Sequence, residues 1–324
     1  MQKLLGICLL FLAFNGLSCD ICNMSVSLTP DDTKNRISLL YRHRFATKTF
    51  STLVYTPVPN TSGSRHSGAI LLPGMEDQTH TETFSVMDVR GVYNFNDRIR
   101  LIGSLPLVRN EKVINNASQF VVSGLGDPFV LGKYNLVRTN FTEEEKSNHR
   151  VTLGGGIKIP LGEYDFTNNG TTAQHDIQAG TGTFDFLFSL DYILKYKKTG
   201  LMFTSNYKMN TYNQKADYMF GNTLNSTLNL FYTIKRKGII LLPYIGTYIE
   251  QGNKDIEERN YEDNSGGSLL FGATGIQVFV KSLQLEALYQ HTLINKLNGS
   301  LQLDTRNRFQ FGISYLINNK RNES

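Results

Sequence analysis

Through most of its length the chain places an apolar residue at every second position, a period that specifies strands with one apolar and one polar face. Ile37, Leu39, Tyr41 and Phe45 alternate with Ser38, Arg42 and Arg44. Leu153 to Leu161, Phe184 to Leu194, Leu283 to Leu293 and Phe309 to Ile317 follow the same rule. A water-soluble sandwich alternates too, because its strands also have a buried and a wet face. The connections separate the two folds. With strands near 36–46, 83–95, 98–108, 125–138, 149–161, 183–196, 201–210, 220–234, 239–250, 268–280, 283–294 and 307–317, linkers alternate between long and short. The long ones are 47–82, 109–124, 162–182, 211–219, 251–267 and 295–306, and the short ones include Asn96-Asp97 and Lys281-Ser282. One turn is overlong, at 139–148, with Glu143-Glu144-Glu145, and the stretch 62–74 is the one place where a further strand could hide. Strict alternation puts every long linker at one end and both chain ends at the other, which predicts an all-β fold: a transmembrane antiparallel up-and-down β-barrel of about twelve strands.

The N-terminus supports export. Lys3, an apolar run from Leu4 to Phe14 and the small-residue exit Gly16-Leu17-Ser18 have the layout of a cleaved signal peptide, expected over 1–18. Residues 19–35 are then a periplasmic N-terminal segment, 36–318 the outer-membrane barrel, and 319–324 a C-terminal tail. No later apolar run reaches the roughly 18 residues that a spanning helix needs. Charged residues make up 19% of the chain and apolar ones 40%, against roughly 25% and 45–50% in soluble domains. That balance suits a wall needing one apolar residue in two. The net charge of +5 is spread along the chain, so no basic face supports a nucleic-acid partner. Cys19 and Cys22 form a CxxC that reads first as a disulfide in an oxidising envelope. Soft-metal ligation with Met24 and lipid attachment at Cys19 are the alternatives. A single CxxC supplies only two of the four ligands of a structural zinc site, so no metal and no cofactor is assigned.

The period also sorts the charges. Arg42, Arg44, Asp88, Arg90, Arg98, Arg100, Lys158, Asp185, Asp191, Lys195 and Glu286 fall on the lumenal phase. On the lipid side an Arg or Lys near midplane would cost roughly 2–4 kcal/mol. Inside, these residues either pair with one another, the arginines of the first three strands facing Asp185, Asp191 and Glu286, or line a polar path for solute. In Gly126-Asp127-Pro128, Asp127 reads as a turn residue at the start of a strand, with a lumenal cation site as the less favoured reading. Gly154-Gly155-Gly156 lacks the Lys-Ser/Thr and the helix of a phosphate loop, and reads as a place of close backbone approach. No catalytic constellation is found. His43 and His291 take outward strand positions, with no Ser or Asp partner implied by local spacing, beside belt residues such as Tyr41, Tyr289 and Tyr315.

Three segments carry a family resemblance. They are Gly124-Leu125-Gly126-Asp127-Pro128 leading to Lys133-Tyr134, then Gly154 through Pro160-Leu161-Gly162 to Asp165, then Gly180-Thr181-Gly182 opening an aromatic strand. In this order they resemble the transporter-like barrels of the MetA-pathway-of-phenol-degradation family, over most of the mature chain. The resemblance makes Gly124, Gly126, Asp127, Pro160 and Gly162 the family's turn positions, and implies passage of small, often apolar or aromatic compounds. The CxxC start before Arg42-His43-Arg44 also looks like barrels of a Bacteroidetes-type Gram-negative envelope. The expected function is therefore porin-like passage of a small solute across the outer membrane, with membrane lipid and that solute as partners and no oligomeric state assigned. An outer-membrane lipid-modifying hydrolase and a structural or adhesive barrel with a plugged lumen are the alternatives.

Overall fold

The computed structural model describes residues 34–50, 53–54, 70–71, 77–139 and 147–317. The wall strands are β1 (Asn35–Phe50), β2 (Gln78–Asn94), β3 (Ile99–Ile114), β4 (Phe129–Arg138), β5 (Ser147–Lys158) and β6 (Asp185–Tyr196). They continue with β7 (Thr199–Met209), β8 (Thr223–Tyr232), β9 (Ile239–Gly252), β10 (Gly267–Val280), β11 (Leu283–Leu297) and β12 (Asp304–Ile317). Each pairs antiparallel with the next, and β12 pairs with β1 from Asn35↔Ile317 to Thr47↔Asp304, closing a twelve-stranded barrel. Closure matters because an edge strand in hydrocarbon would leave N–H and C=O groups unpaired, at several kcal/mol each.

The two faces of the wall are inverted relative to a soluble protein. On β1, Ile37, Leu39 and Tyr41 point out and are exposed, while Arg36, Ser38 and Leu40 point in and are buried. On β6, Phe186, Phe188 and Leu190 are exposed and Asp185, Ser189 and Asp191 are buried. Exposed apolar and buried polar residues suit a wall whose outer solvent is lipid, and a sandwich would show the reverse. The start of β1, the end of β12 and the short turns share one end, where Lys197 (φ +53°), Lys281 (φ +54°) and Lys237-Gly238 (φ +45° and +79°) make tight reversals. The connections after β1, β3, β5, β7, β9 and β11 emerge at the other, long-loop end.

Several strands run past their expected ends, and three boundaries differ for a local reason. The 109–124 linker is largely a hairpin: β3 runs to Ile114, reverses at Asn115-Asn116 (φ +48° and +65°) and returns as Ala117–Leu125. Positive φ at both central residues is what a two-residue hairpin turn requires, and Asn tolerates it. The strand expected from 125 restarts at Phe129, because Pro128 has no N–H to give the ladder. The strand expected over 220–234 breaks at Thr233, whose N–H bonds Lys198 O at 2.7 Å, before Ile234–Arg236 pairs with β9. Near 62–74, Leu53–Val54 and Ile70–Leu71 pair only with each other and add nothing to the wall. The expected signal peptide and C-terminal tail, Cys19, Cys22 and Glu143-Glu144-Glu145 lie outside the described residues.

Candidate functional site

Every second wall residue faces the bore, so polar side chains are carried into a confined space where each must find partners. At the long-loop end they surround a cavity of about 230 Å³. Arg44 lies 4.0 Å above the Phe84 ring, and Arg308 bonds Glu250 Oε2 at 2.6 Å with its guanidinium 4.3 Å from the Phe271 ring. Lys112 bridges Glu82, at 3.3 Å, and Gln174 of the 159–184 connection. The roof stacks His175 on Tyr218 at 3.9 Å between ring centroids. The Tyr218 hydroxyl donates to Asp255, and burial with that neighbouring carboxylate holds its proton well above the usual tyrosine range.

The 159–184 connection turns inward. Ala173, Ile177 and Ala179 bury themselves against Phe84, Val108 and Val122, and Asn110 Nδ2 donates to Ile177 O at 3.0 Å and Gln178 O at 3.1 Å. Its two ends are held at one buried node. Asp127 accepts from Gly162 N at 2.9 Å, Thr181 N at 2.8 Å and Lys158 Nζ at 2.7 Å, and the same ammonium reaches Asp185 Oδ2 at 2.7 Å. Glycine is needed here for space. A Cβ on Gly180 would sit 2.6 Å from Asp127 Oδ1, and one on Gly162 2.7 Å from Gly180 Cα. Asp127, read as a local turn residue, thus takes backbone bonds from segments 35 and 54 residues away. The three sequence segments that carry the family resemblance meet at this node. Gly124 and Pro160 stand outside it, and a Cβ on Gly124 would meet nothing within 4 Å.

Further down, Asp88 is fully buried and accepts from Arg90 Nη2 at 2.6 Å and Ser104 Oγ at 2.5 Å. Arg100 is buried, its Nε on Asn94 Oδ1 at 3.0 Å, and Arg42, Arg44, Lys195 and Glu286 face in, half-buried. For Asp185, Asp191 and Glu286, expected to face arginines of the first strands, other partners are seen beside them. Asp185 takes Lys158, Asp191 takes Lys133 Nζ at 2.6 Å, and Glu286 accepts from Gln310 Nε2 at 2.7 Å. The partners shown for these three come from strands one or two places away. Arg98 is corrected: it is exposed in the β2–β3 turn, before the wall's alternation begins, 3.4 Å from the hydroxyl of outward Tyr134. Glu82, Lys112, Lys133, Glu250 and Arg308 were missed. All keep the inward phase: Glu82 and Lys112 lie beyond the expected strand ends, whereas Lys133, Glu250 and Arg308 lie within expected strands, where the alternation alone already points them in.

On the outer face His43 has a partner that local spacing did not reveal. Ser85 Oγ on β2 is 3.1 Å from His43 Nδ1, with the Tyr41 hydroxyl 3.4 Å from the same oxygen. A hydrolytic triad would need a third group on the other ring nitrogen, and among the described residues none is seen there. His291 Nδ1 lies 2.9 Å from Asn307 Oδ1.

The family model for the MetA pathway of phenol degradation matches residues 59–318. Among solved structures, an outer membrane channel from Pseudomonas putida F1 superposes with a TM-score of 0.60 at 16% identity, covering 90% of this chain and 100% of that one. A FadL homologue from Pseudomonas aeruginosa gives a TM-score of 0.43 at 11% identity, over 88% of this chain and 90% of that one. The NanC porin gives 0.39 at 10% identity, over 85% and 98%. No curated protein matches the chain.

Proposed function

The chain belongs to the family of the MetA pathway of phenol degradation, and from that premise we propose that it passes a small solute through its bore across an outer membrane. The observation that carries this reading is the polar, hydrogen-bonded inner wall leading to a cavity of about 230 Å³ under a folded-in connection. The similar fold of the Pseudomonas putida F1 outer membrane channel is consistent with it. Short turns then lie on the periplasmic side and long loops outside, the usual arrangement of such barrels. Solute enters beside Arg44 and Arg308, passes the Asp127–Lys158–Asp185 node and leaves between the inward side chains of the lower wall. Membrane lipid covers the apolar outer face. A cleaved leader over 1–18, a Cys19–Cys22 disulfide and a Bacteroidetes-type Gram-negative envelope belong to the same proposal and rest on the sequence.

The test is electrical. Purified protein in planar bilayers should give discrete current steps, and fluorescent-dye-free vesicles containing it should swell in a small permeant solute. A barrel that proves folded by its gel mobility yet carries no current and swells no vesicle would overturn the reading and favour a plugged structural barrel.

A further inference from the structure

Arg308 on β12 lines the cavity at the long-loop end, directly opposite Arg44 of β1 in the strand register. Its guanidinium is held in a fixed plane, 4.3 Å from the Phe271 ring and 5.9 Å from the Tyr248 ring, and its Nη1 donates to Glu250 Oε2 at 2.6 Å. The other two nitrogens, Nε and Nη2, are buried and make no hydrogen bond among the described residues. The Tyr248 hydroxyl donates to Asn225 Oδ1 at 3.2 Å. Nε and Nη2 share one edge of the planar guanidinium with their N–H bonds parallel, and this is the edge that holds both oxygens of a carboxylate. No other arginine among the described residues has both atoms of that edge in this state. Buried donors are costly to leave unpaired, charged ones most of all, so a whole edge of them calls for an acceptor.

The charge around the fork selects the acceptor. On the wall part of the cavity lining, Arg44, Lys112 and Arg308 exceed Glu82 and Glu250 by one positive charge, counting His80 as neutral. The roof brings Asp176, Asp255 and Glu262 to the same cavity. A monoanion in the fork neutralises the wall, and every further negative charge, as on phosphate, meets the carboxylates of the roof. A cavity of roughly 150 Å³ holds a benzene, so about 230 Å³ admits a carboxylate on a short chain or a single ring. We propose that the Nε–Nη2 edge of Arg308 is a binding subsite for the carboxylate of a small organic acid. Its place as the first contact on the way into the bore rests on the solute-passage reading, and the subsite itself rests on the wall alone.

Titration of the full chain with potassium butyrate, in two settings, tests the subsite and keeps it apart from passage. In detergent micelles with isotope-labelled arginine, the Arg308 Nε–H resonance should shift saturably with butyrate and hardly with potassium phosphate or butylamine. Its loss in Arg308→Lys assigns it, or its movement in Glu250→Gln should the first variant not fold. In planar bilayers butyrate should reduce the potassium chloride current saturably. Arg308→Lys keeps the charge and a partner for Glu250 but has no fork, so it should raise the half-effective butyrate concentration about tenfold. Glu250→Gln removes the competing carboxylate and should lower it several-fold. A folded barrel without current would remove solute passage and leave the subsite to the micelle titration. An Arg308 resonance indifferent to butyrate would overturn the subsite, its edge then being bonded by water alone. Equal action of butyrate and phosphate would overturn the choice of a carboxylate, and a butyrate effect unchanged in Arg308→Lys would place the anion elsewhere and overturn the subsite too.

Discussion

At the residue scale the decisive group is Asp127. Turn chemistry explains an Asp between Gly126 and Pro128 without any distant partner, and the sequence offers no reason to look further. Its bonds to Gly162, Thr181 and Lys158 depend on which strands become neighbours and in what register. The same holds for Ser85 beside His43, 42 residues away. Side-chain direction is a local property of period two and can be read early, whereas side-chain partnership is a property of the closed wall. Asp127→Ala would leave two buried N–H groups and half of a buried ion pair without an acceptor, a loss of about 3 kcal/mol. The heat-driven conversion of the fast-migrating folded form on gels should shift to lower temperature, and single-channel conductance should rise as the 159–184 connection loosens. Gly180→Ala, which forces a Cβ against Asp127 and Gly162, should act in the same direction and add little to Asp127→Ala. Unchanged conductance and melting in both variants would show that the node does not hold the connection.

At the scale of elements the strands were legible because lipid outside and polar groups inside impose period two on every one of them. Their ends were not. Once a strand rises past the hydrocarbon its outward residues are free to be polar, so β3 and the returning Ala117–Leu125 look like linker although they continue the sheet. Depth dependence gives this a test. Phe188→Arg, on the outer face of β6, should weaken folding into vesicles by about 2–4 kcal/mol if it lies near midplane. Tyr196→Arg, at the last residue of the same strand, should cost about 0–1 kcal/mol. Urea titrations of refolding would separate them, and equal losses would contradict the placement of β6. Among the loops, Tyr218–Met219 pairs with Ile256–Glu257, which pairs with Asn260–Tyr261, and Tyr218 donates to Asp255. Because the hydroxyl's pKa is raised in the folded state, its contribution is fully present below about pH 10 and is lost as pH rises through the higher folded value. Protease nicking of these loops should stay slow at pH 10 and accelerate above it, and Tyr218→Phe should be nicked faster at neutral pH, where the Asp255 bond is already gone.

For the whole molecule the fold follows from one constraint applied twelve times, yet what passes through the bore depends on how opposite walls combine, which no single strand encodes. The inward side chains of β1 and β12 come from opposite ends of the barrel sequence and meet only on closure. Closure also fixes an orientation that can be checked independently of any solute. Short turns should face the periplasm and long loops the outside, as is usual in outer-membrane barrels. With Cys19 and Cys22 replaced by Ser, a single cysteine at Asn169 should react with a membrane-impermeant maleimide on intact cells. One at Lys237, in a turn at the opposite end, should react only after the outer membrane is opened. Both positions have positive φ, which Asn tolerates better than Lys or Cys, so the folded state of each variant is checked by gel mobility before labelling. Labelling at Lys237 and protection at Asn169 would reverse the orientation. Labelling of both on intact cells would mean that the barrel does not sit in an intact outer membrane, and the channel reading would fall with it.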